Sequence, residues 1–261
     1  DNVVARIDNQ PAIVESINTE KKQQNQPLPF NLSSLQISAA KQFSMNAKLV
    51  LDVCQALYEK HKLITYPRSD CRYLPKEQIK QASGIISMLA ASSLPCSEQA
   101  KNADNSIVSK AWNDKKITAH HAIIPTEKSP NNINLNSFEK NIYLLVVRQY
   151  LAQFYPVYRY QQTKIEVKIA GGLFSTSSKT EQQKGWKVLF PSNDKPPTEG
   201  NNTLPVLSKG QVLHCQRGEL IEKHTSPPES FTDATLLAAM TGIARFVSDE
   251  SIRKVLRDTD G

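Results

Sequence analysis

At Tyr155-Pro156 the apolar repeat of this chain changes period, and that change excludes any fold built from one kind of element. Upstream, apolar residues recur every three or four positions: Leu49, Val50, Val53, Leu57 and Tyr58, then Ile79, Ala82, Ile85, Ile86 and Leu89, then Ile142, Leu144, Leu145, Val147 and Leu151. That spacing lines one face of a helix, and it predicts helices over about 33–43, 46–61, 76–91 and 138–154, with Ser33 or Ser34 able to cap the first. Proline at 156 cannot continue the last one. Downstream the pattern alternates: about 162–170, a turn at Gly171-Gly172, then about 186–190, 204–206 and 211–215 read as strands. The start of the chain also alternates (Val4, Ile7, Ala12, Val14, Ile17), predicting a short strand leading into a second amphipathic element. The polar run Glu20-Lys21-Lys22-Gln23-Gln24-Asn25-Gln26 before Pro27-Leu28-Pro29 reads as an exposed connection, and the polar stretch ending at Ser106 as a loop. After Pro227-Pro228, Thr232 and Asp233 open a further helix, with a short one near Asp249 to Arg257.

A chain of 261 residues is long enough to divide into two or more units. Lys and Arg number 32 against 25 Asp and Glu, a formal net charge of +7, which favours polyanionic partners. Cys54, Cys71, Cys96 and Cys215 are far apart and form no C-x-x-C pair, the usage of reduced cytosolic thiols rather than of a disulfide scaffold or a zinc site. No apolar run approaches the roughly 18 residues that cross a bilayer, and the first residues lack a signal-peptide layout. Phosphate-binding glycine loops, dinucleotide fingerprints and paired-carboxylate signatures are missing from the sequence. The absent initiator methionine and the stop just after a helical stretch suggest a piece of something longer.

The segment Leu63-Ile64-Thr65-Tyr66-Pro67-Arg68-Ser69-Asp70 carries the most chemistry. Pro67 biases Tyr66 towards extended backbone, and in an extended chain Tyr66 and Arg68 share a face, so a phenol and a guanidinium can meet one anion. That pairing suits attack on a phosphodiester; the alternative is a buried loop tyrosine beside a surface arginine. Tyrosine's reference pKa is near 10, so such a nucleophile needs a base or a strong positive field, and the sequence alone does not reveal the base. His120 and His121 are adjacent, and on extended backbone they point to opposite faces, which argues against a two-ligand metal site. One could hydrogen-bond a phosphate, or be a satisfied structural histidine. Around Ser33, Ser34 and Gln36 a helix start offers either an anion site or an ordinary cap.

In this order the segments resemble the type IA DNA topoisomerases, on the side of their bacterial topoisomerase III branch. Pro29-Phe30-Asn31-Leu32-Ser33-Ser34-Leu35-Gln36 is similar to the family's P-F-x-x-S-S/T-L-Q. Ala56-Leu57-Tyr58-Glu59 through Leu63-Ile64-Thr65-Tyr66-Pro67-Arg68-Ser69-Asp70 resembles L-Y-E…I-T-Y-x-R-T/S-D. Ala119-His120-His121-Ala122-Ile123-Ile124-Pro125-Thr126 is similar to A-H-x-A-I-x-P-T, and Pro227-Pro228-Glu229-Ser230-Phe231-Thr232-Asp233-Ala234-Thr235-Leu236 to P-P-x-x-[FY]-[ST]-E-A-[ST]-L. Cys71 stands where a serine is common, and Asp233 where a glutamate is usual.

The resemblance implies a multidomain α+β fold, the toroid segment of a type IA core, in which a strand-rich arch (1–29 and 137–226) carries an inserted helical domain (30–136) holding the tyrosine. The part from 227 to 261 would begin the next helical domain. It implies that Tyr66 attacks a single DNA strand and becomes linked to its 5′ phosphate without ATP, and that Arg68 and His120 stabilise the scissile phosphate. Ser33, Ser34, Gln36 and Ser69 are implied as DNA-contacting or loop-shaping groups. Magnesium is expected in the family's Toprim domain, whose acidic cluster this sequence does not contain; without it the fragment is expected to be inactive. Single-stranded DNA and DNA junctions are the expected partners of a monomeric, cytoplasmic, nucleoid-associated protein that relaxes or decatenates DNA. A non-catalytic DNA-binding module with the same fold is the alternative. A relaxase is disfavoured because His120-His121 lacks a spacer between its histidines.

Overall fold

The computed structural model describes residues 2–190 and 204–259, and the chain forms two compact units. The first comprises Asp1–Asn25 and Val157–Pro228, the second Gln26–Pro156 and Glu229–Gly261.

The first unit is built on an antiparallel sheet of order β3-β2-β1-β4, from β1 (Pro11–Gln24), β2 (Tyr158–Ile169), β3 (Gly172–Gln183) and β4 (Val212–His214). A two-residue loop joins β2 to β3, with Ala170 at φ 44° and Gly171 at φ 82°. Positive φ at both positions matches the right-handed twist of the strands it joins. On one face Ala12, Val14, Ile165 and Ile169 are buried, and Ile7 of the short helix α1 (Asn2–Ile7) packs there with Val167, Phe174, Leu213 and Cys215.

Several expectations change here. Residues 2–7 are helical, in keeping with the three-residue spacing of Val4 and Ile7, and β1 runs through the polar run that read as a connection. Pairing of Glu20 to Gln24 with Gln162 to Tyr158 holds that run extended although nothing apolar drives it. Gly185–Leu189 is a 3₁₀ turn rather than a strand, with Gly185 at φ 50° and the Trp186 indole donating to the Gln24 carbonyl at 3.1 Å. Of the expected strand at 204–206, the described residues form none.

The second unit is helical: α2 (Leu32–Phe43), α3 (Ala47–Gln55), α4 (Ile79–Ala90), α5 (Ser97–Lys101), α6 (Ser137–Leu151), α7 (Asp233–Thr241) and α8 (Glu250–Thr259). Its centre is α6, whose Ile142, Tyr143, Val146, Val147, Tyr150 and Leu151 are buried and which packs on α2 and α3. A capping box opens α6: Asn136 Oδ1 accepts from the Glu139 N–H and Glu139 Oε2 from the Asn136 N–H, both at 2.9 Å. The contact boundaries differ from those expected by sequence, for 137–156 packs with the helices and α6 is buried over most of its surface, Glu139 and Gln149 included. Helix α7 packs on α2 in the same unit.

Candidate active site

Helix α3 runs into a π-helical turn, Ala56–Lys60, where the His61 N–H donates to the Ala56 carbonyl at 3.0 Å. Lys62, at φ 58°, ends the helix in the left-handed region and redirects the chain. The strand-like stretch that follows is clamped against 122–126: the Thr65 N–H donates to the Ile124 carbonyl at 2.9 Å and the Thr126 N–H to the Leu63 carbonyl at 3.0 Å. The Thr65 hydroxyl adds two bonds, accepting from the Ile124 N–H at 3.0 Å and donating to the Ala122 carbonyl at 3.2 Å. Leu63 and Ile64 are buried beneath it. From Tyr66 the side chains alternate, with Tyr66, Arg68 and Asp70 exposed and Pro67, Ser69 and Cys71 turned inward. The shared face expected of Tyr66 and Arg68 is thus present.

Tyr66 is 37% exposed, so its ring is neither sealed nor free. His120 stacks on it with centroids 4.5 Å apart and planes 27° from parallel, and Tyr58 of the π-turn meets it edge-on at 5.8 Å. Arg68 Nη2 donates to Gln55 Oε1 at 3.1 Å and faces solvent. The two histidines part as their adjacency required. His121 Nδ1 donates to the Ala122 carbonyl at 2.8 Å and its Nε2 lies 3.0 Å from Gln78 Nε2, so both ring nitrogens are engaged within the fold. His120 alone is exposed beside the tyrosine.

The helix start at α2 joins the same cluster. The Leu32 N–H donates to the Ser69 carbonyl at 3.0 Å, Asn31 Nδ2 to the Asp70 carbonyl at 2.9 Å, and the Ile123 N–H to the Phe30 carbonyl at 2.8 Å. Asn31 is the cap, accepting from the Ser34 N–H at 3.0 Å while Ser34 Oγ accepts from the Asn31 N–H at 3.1 Å. Gln36 Nε2 donates to the Ala47 carbonyl at 2.9 Å. Ser69, 2% exposed, accepts the Cys71 N–H at 3.1 Å. Ser34, Gln36 and Ser69 therefore shape the scaffold, and Ser33 lies half-buried in the first turn of α2.

Sequence reasoning gave no role to four groups that the fold brings in. Tyr58 was in view within Leu57-Tyr58-Glu59, but its contact with Tyr66 depends on the π-turn. Gln55 and Gln78 act on residues 13 and 43 positions away. Arg72 donates to the Pro29 and Leu28 carbonyls at 3.0 and 3.1 Å; burial lowers its pKa, partly opposed by Tyr73. Beneath the site His61 Nε2 and Glu139 Oε1 lie 3.1 Å apart, both nearly buried. Burial pushes the Glu139 carboxyl up, but the Asn136 N–H and His61 outweigh it, and the net shift is downward. Among the described residues no three His, Cys, Asp or Glu side chains converge as a metal cage.

Residues 1–244 match a protein family described as DNA topoisomerase. The chain is 50% identical over 261 residues to DNA topoisomerase 3 of Vibrio cholerae and 50% over 266 to that of Haemophilus influenzae, in each case covering 100% of this chain and 40% of the relative. To DNA topoisomerase 3 of Bacillus subtilis it is 33% identical over 258 residues, 96% of this chain and 35% of the relative. The solved full-length topoisomerase I of Thermotoga maritima shares the fold, with a TM-score of 0.65 over 90% of this chain and 38% of that one at 21% identity. The chain thus spans well under half the length of the relatives it matches.

Proposed function

The chain belongs to the type IA DNA topoisomerases, and on that premise we propose that Tyr66 is the nucleophile of a single-strand transesterification. The observation that supports it is an exposed phenol on the same strand face as Arg68, with His120 against its ring. In the proposed step the Tyr66 oxygen bonds to phosphorus, the bond from phosphorus to the 3′ oxygen breaks, and the 5′ phosphate stays on the tyrosine. The phenolic proton passes to a base and the departing 3′ oxygen gains a proton from an acid, neither identified among these residues. Reversal by the 3′ hydroxyl reseals the strand, so no ATP is required. Arg68, a permanently charged planar donor, stabilises charge on the non-bridging oxygens, and on this reading His120, stacked on the Tyr66 ring, donates to the same phosphate. Ser33 at the start of α2 is a further proposed DNA contact.

Magnesium and the general acid belong, on this reading, to a Toprim domain outside this sequence, and the 261-residue chain alone cleaves nothing. Single strands and junctions are its substrates, relaxation or decatenation its outcome, and a monomer in the bacterial cytoplasm its state. The strand-rich unit serves as an arch, and 227 onward, whose α7 packs on α2 within the helical unit, leads on this reading into a further domain.

The test uses the full-length protein that carries this chain, a labelled single-stranded oligonucleotide and magnesium. A covalent adduct is expected on a denaturing gel, lost entirely in Tyr66→Phe and reduced about 100- to 1000-fold in Arg68→Ala. Relaxation by the Tyr66→Phe protein at wild-type rate would show that Tyr66 is not the nucleophile, whereas DNA binding by the wild-type protein with neither adduct nor relaxation would favour the non-catalytic DNA-binding reading. An adduct formed by the isolated chain would refute its proposed inactivity.

A further inference from the structure

Near one end of the four-stranded sheet the two faces differ sharply in how their charges are used. Opposed residues share a face, so Lys22, Tyr160 and Glu181 lie on one and Lys21, Gln161 and Thr180 on the other. On the first, the cations have partners within the unit. Lys22 Nζ lies 3.0 Å from Glu20 Oε2 and donates to Gln162 Oε1 at 3.0 Å, Lys187 sits 3.5 Å from the Tyr158 ring centroid, and Lys179 sits 5.7 Å from that of Tyr160.

The second face is left unpaired. Lys21, Gln23, Arg159, Gln161 and Gln182, together with the edges of Lys22 and Tyr160, line a concavity of about 430 Å³, and among the described residues none of the first five side chains makes a hydrogen bond or ion pair. Gln182 reaches it because β3 slips register there, Arg159 facing Gln183 and Tyr160 facing Glu181. No carboxylate lines the concavity, and of its three cations only Lys22 is ion-paired, with Glu20, so the field of Lys21 and Arg159 is not cancelled locally.

From this we propose that the groove binds a single nucleic-acid strand, with Lys21 and Arg159 on phosphates and the glutamine amides on base edges. A guanidinium fork matches phosphate oxygens, and a planar amide matches the donor and acceptor edge of a base, adenine best. The volume suits about one or two nucleotides and not the flank of a duplex. The site lies in the compact unit that does not hold Tyr66, and it stands whether or not Tyr66 cleaves DNA.

The experiment is fluorescence anisotropy of the 261-residue chain with labelled oligo-dA and oligo-dT over a series of salt concentrations. Each phosphate neutralised on a single strand contributes about 0.7 to the slope of log affinity against log salt, so Lys21→Ala with Arg159→Ala should flatten it by about 1.4. Lys21→Arg with Arg159→Lys should restore the slope, showing that charge rather than folding was lost, and Lys179→Ala on the opposite face should leave it unchanged. Gln161→Ala with Gln182→Ala should narrow any preference for oligo-dA without moving the slope. An unchanged slope in the double alanine variant, an equal loss in Lys179→Ala, no salt-dependent binding by the wild-type chain, or tighter binding of a duplex at the same residues would each overturn the proposal. Adduct formation by the full-length protein reads Tyr66, whereas this slope reads Lys21 and Arg159, so failure of the cleavage reading and failure of this one give different results.

Discussion

Arg68 has a neutral partner, and that choice bears on how it would meet a phosphate. Gln55 Nε2 donates to Glu59 Oε1 at 3.1 Å, which turns Gln55 Oε1 towards Arg68. An amide acceptor orients the guanidinium without cancelling its charge, whereas a carboxylate in its place would compete with the incoming phosphate. Under the proposed cleavage, Gln55→Leu should lower adduct yield in the full-length protein by up to about 100-fold, the scale of a misplaced group. Gln55→Glu should cost more and raise the oligonucleotide concentration needed for half-maximal yield. Equal yields in all three proteins would leave Gln55 without a role. Thr65 offers a second check one residue from the tyrosine. Thr65→Val deletes both hydroxyl bonds and leaves the Ile124 N–H unpaired, which should cost about 1–3 kcal/mol of stability by urea denaturation. The face shared by Tyr66 and Arg68 was legible because proline and local alternation define it. Gln55, Gln78 and Arg72 were not legible, because each acts on a group that only the folded chain brings near.

At the scale of elements, the site rests on how α3 ends and α6 begins. The π-turn and left-handed Lys62 send the chain into the Tyr66 segment, while His61 at that junction is fastened to Glu139 in the first turn of α6. Glu139 therefore caps a helix and pairs with His61 at once. Its carboxyl has a lowered pKa in the folded protein, so the stability it contributes is fully present above the unfolded value of about 4.3 and is lost as pH falls through the lower folded value. Urea midpoints measured from pH 7 down to pH 3 should fall in the wild-type chain and fall less steeply in Glu139→Gln, which cannot titrate. Glu139→Ala leaves His61 buried without its partner and removes the side-chain half of the capping box that accepts the Asn136 N–H, and about 3 kcal/mol should be lost at pH 7. Helices of this kind were legible from their apolar spacing, α6 and α4 above all. The strand β1 beyond Ile17 was not, since its rungs are polar on both sides and only pairing with β2 keeps them extended. At 185–189 the apolar run Trp186, Val188, Leu189 fits a strand or a tight helix equally, and the positive φ at Gly185 decides for the latter.

Across the whole molecule, the chain passes between its two units at 25–26, 156–157 and 228–229, so each unit assembles from segments distant in sequence. Their interiors are unequal. The helical unit buries a run of large side chains along α6 together with Leu35, Val50, Leu57, Leu63, Ile123 and Phe154, whereas the sheet unit gathers a small cluster around Ile7, Ala12 and Ile169. Local stability follows buried apolar contacts, so the two units should open with different free energies. Hydrogen exchange read by mass spectrometry should find the amides of α6 slowest and those of β3, an edge strand with mostly exposed side chains, faster by orders of magnitude. Leu145→Ala, at a buried position of α6, should cost about 3 kcal/mol and speed exchange throughout the helical unit while leaving β2 near its wild-type rate. If β2 accelerates by the same factor as α6, the units unfold as one. The mutation then reports a single cooperative core, and the independent arch proposed for the strand-rich unit loses its energetic basis.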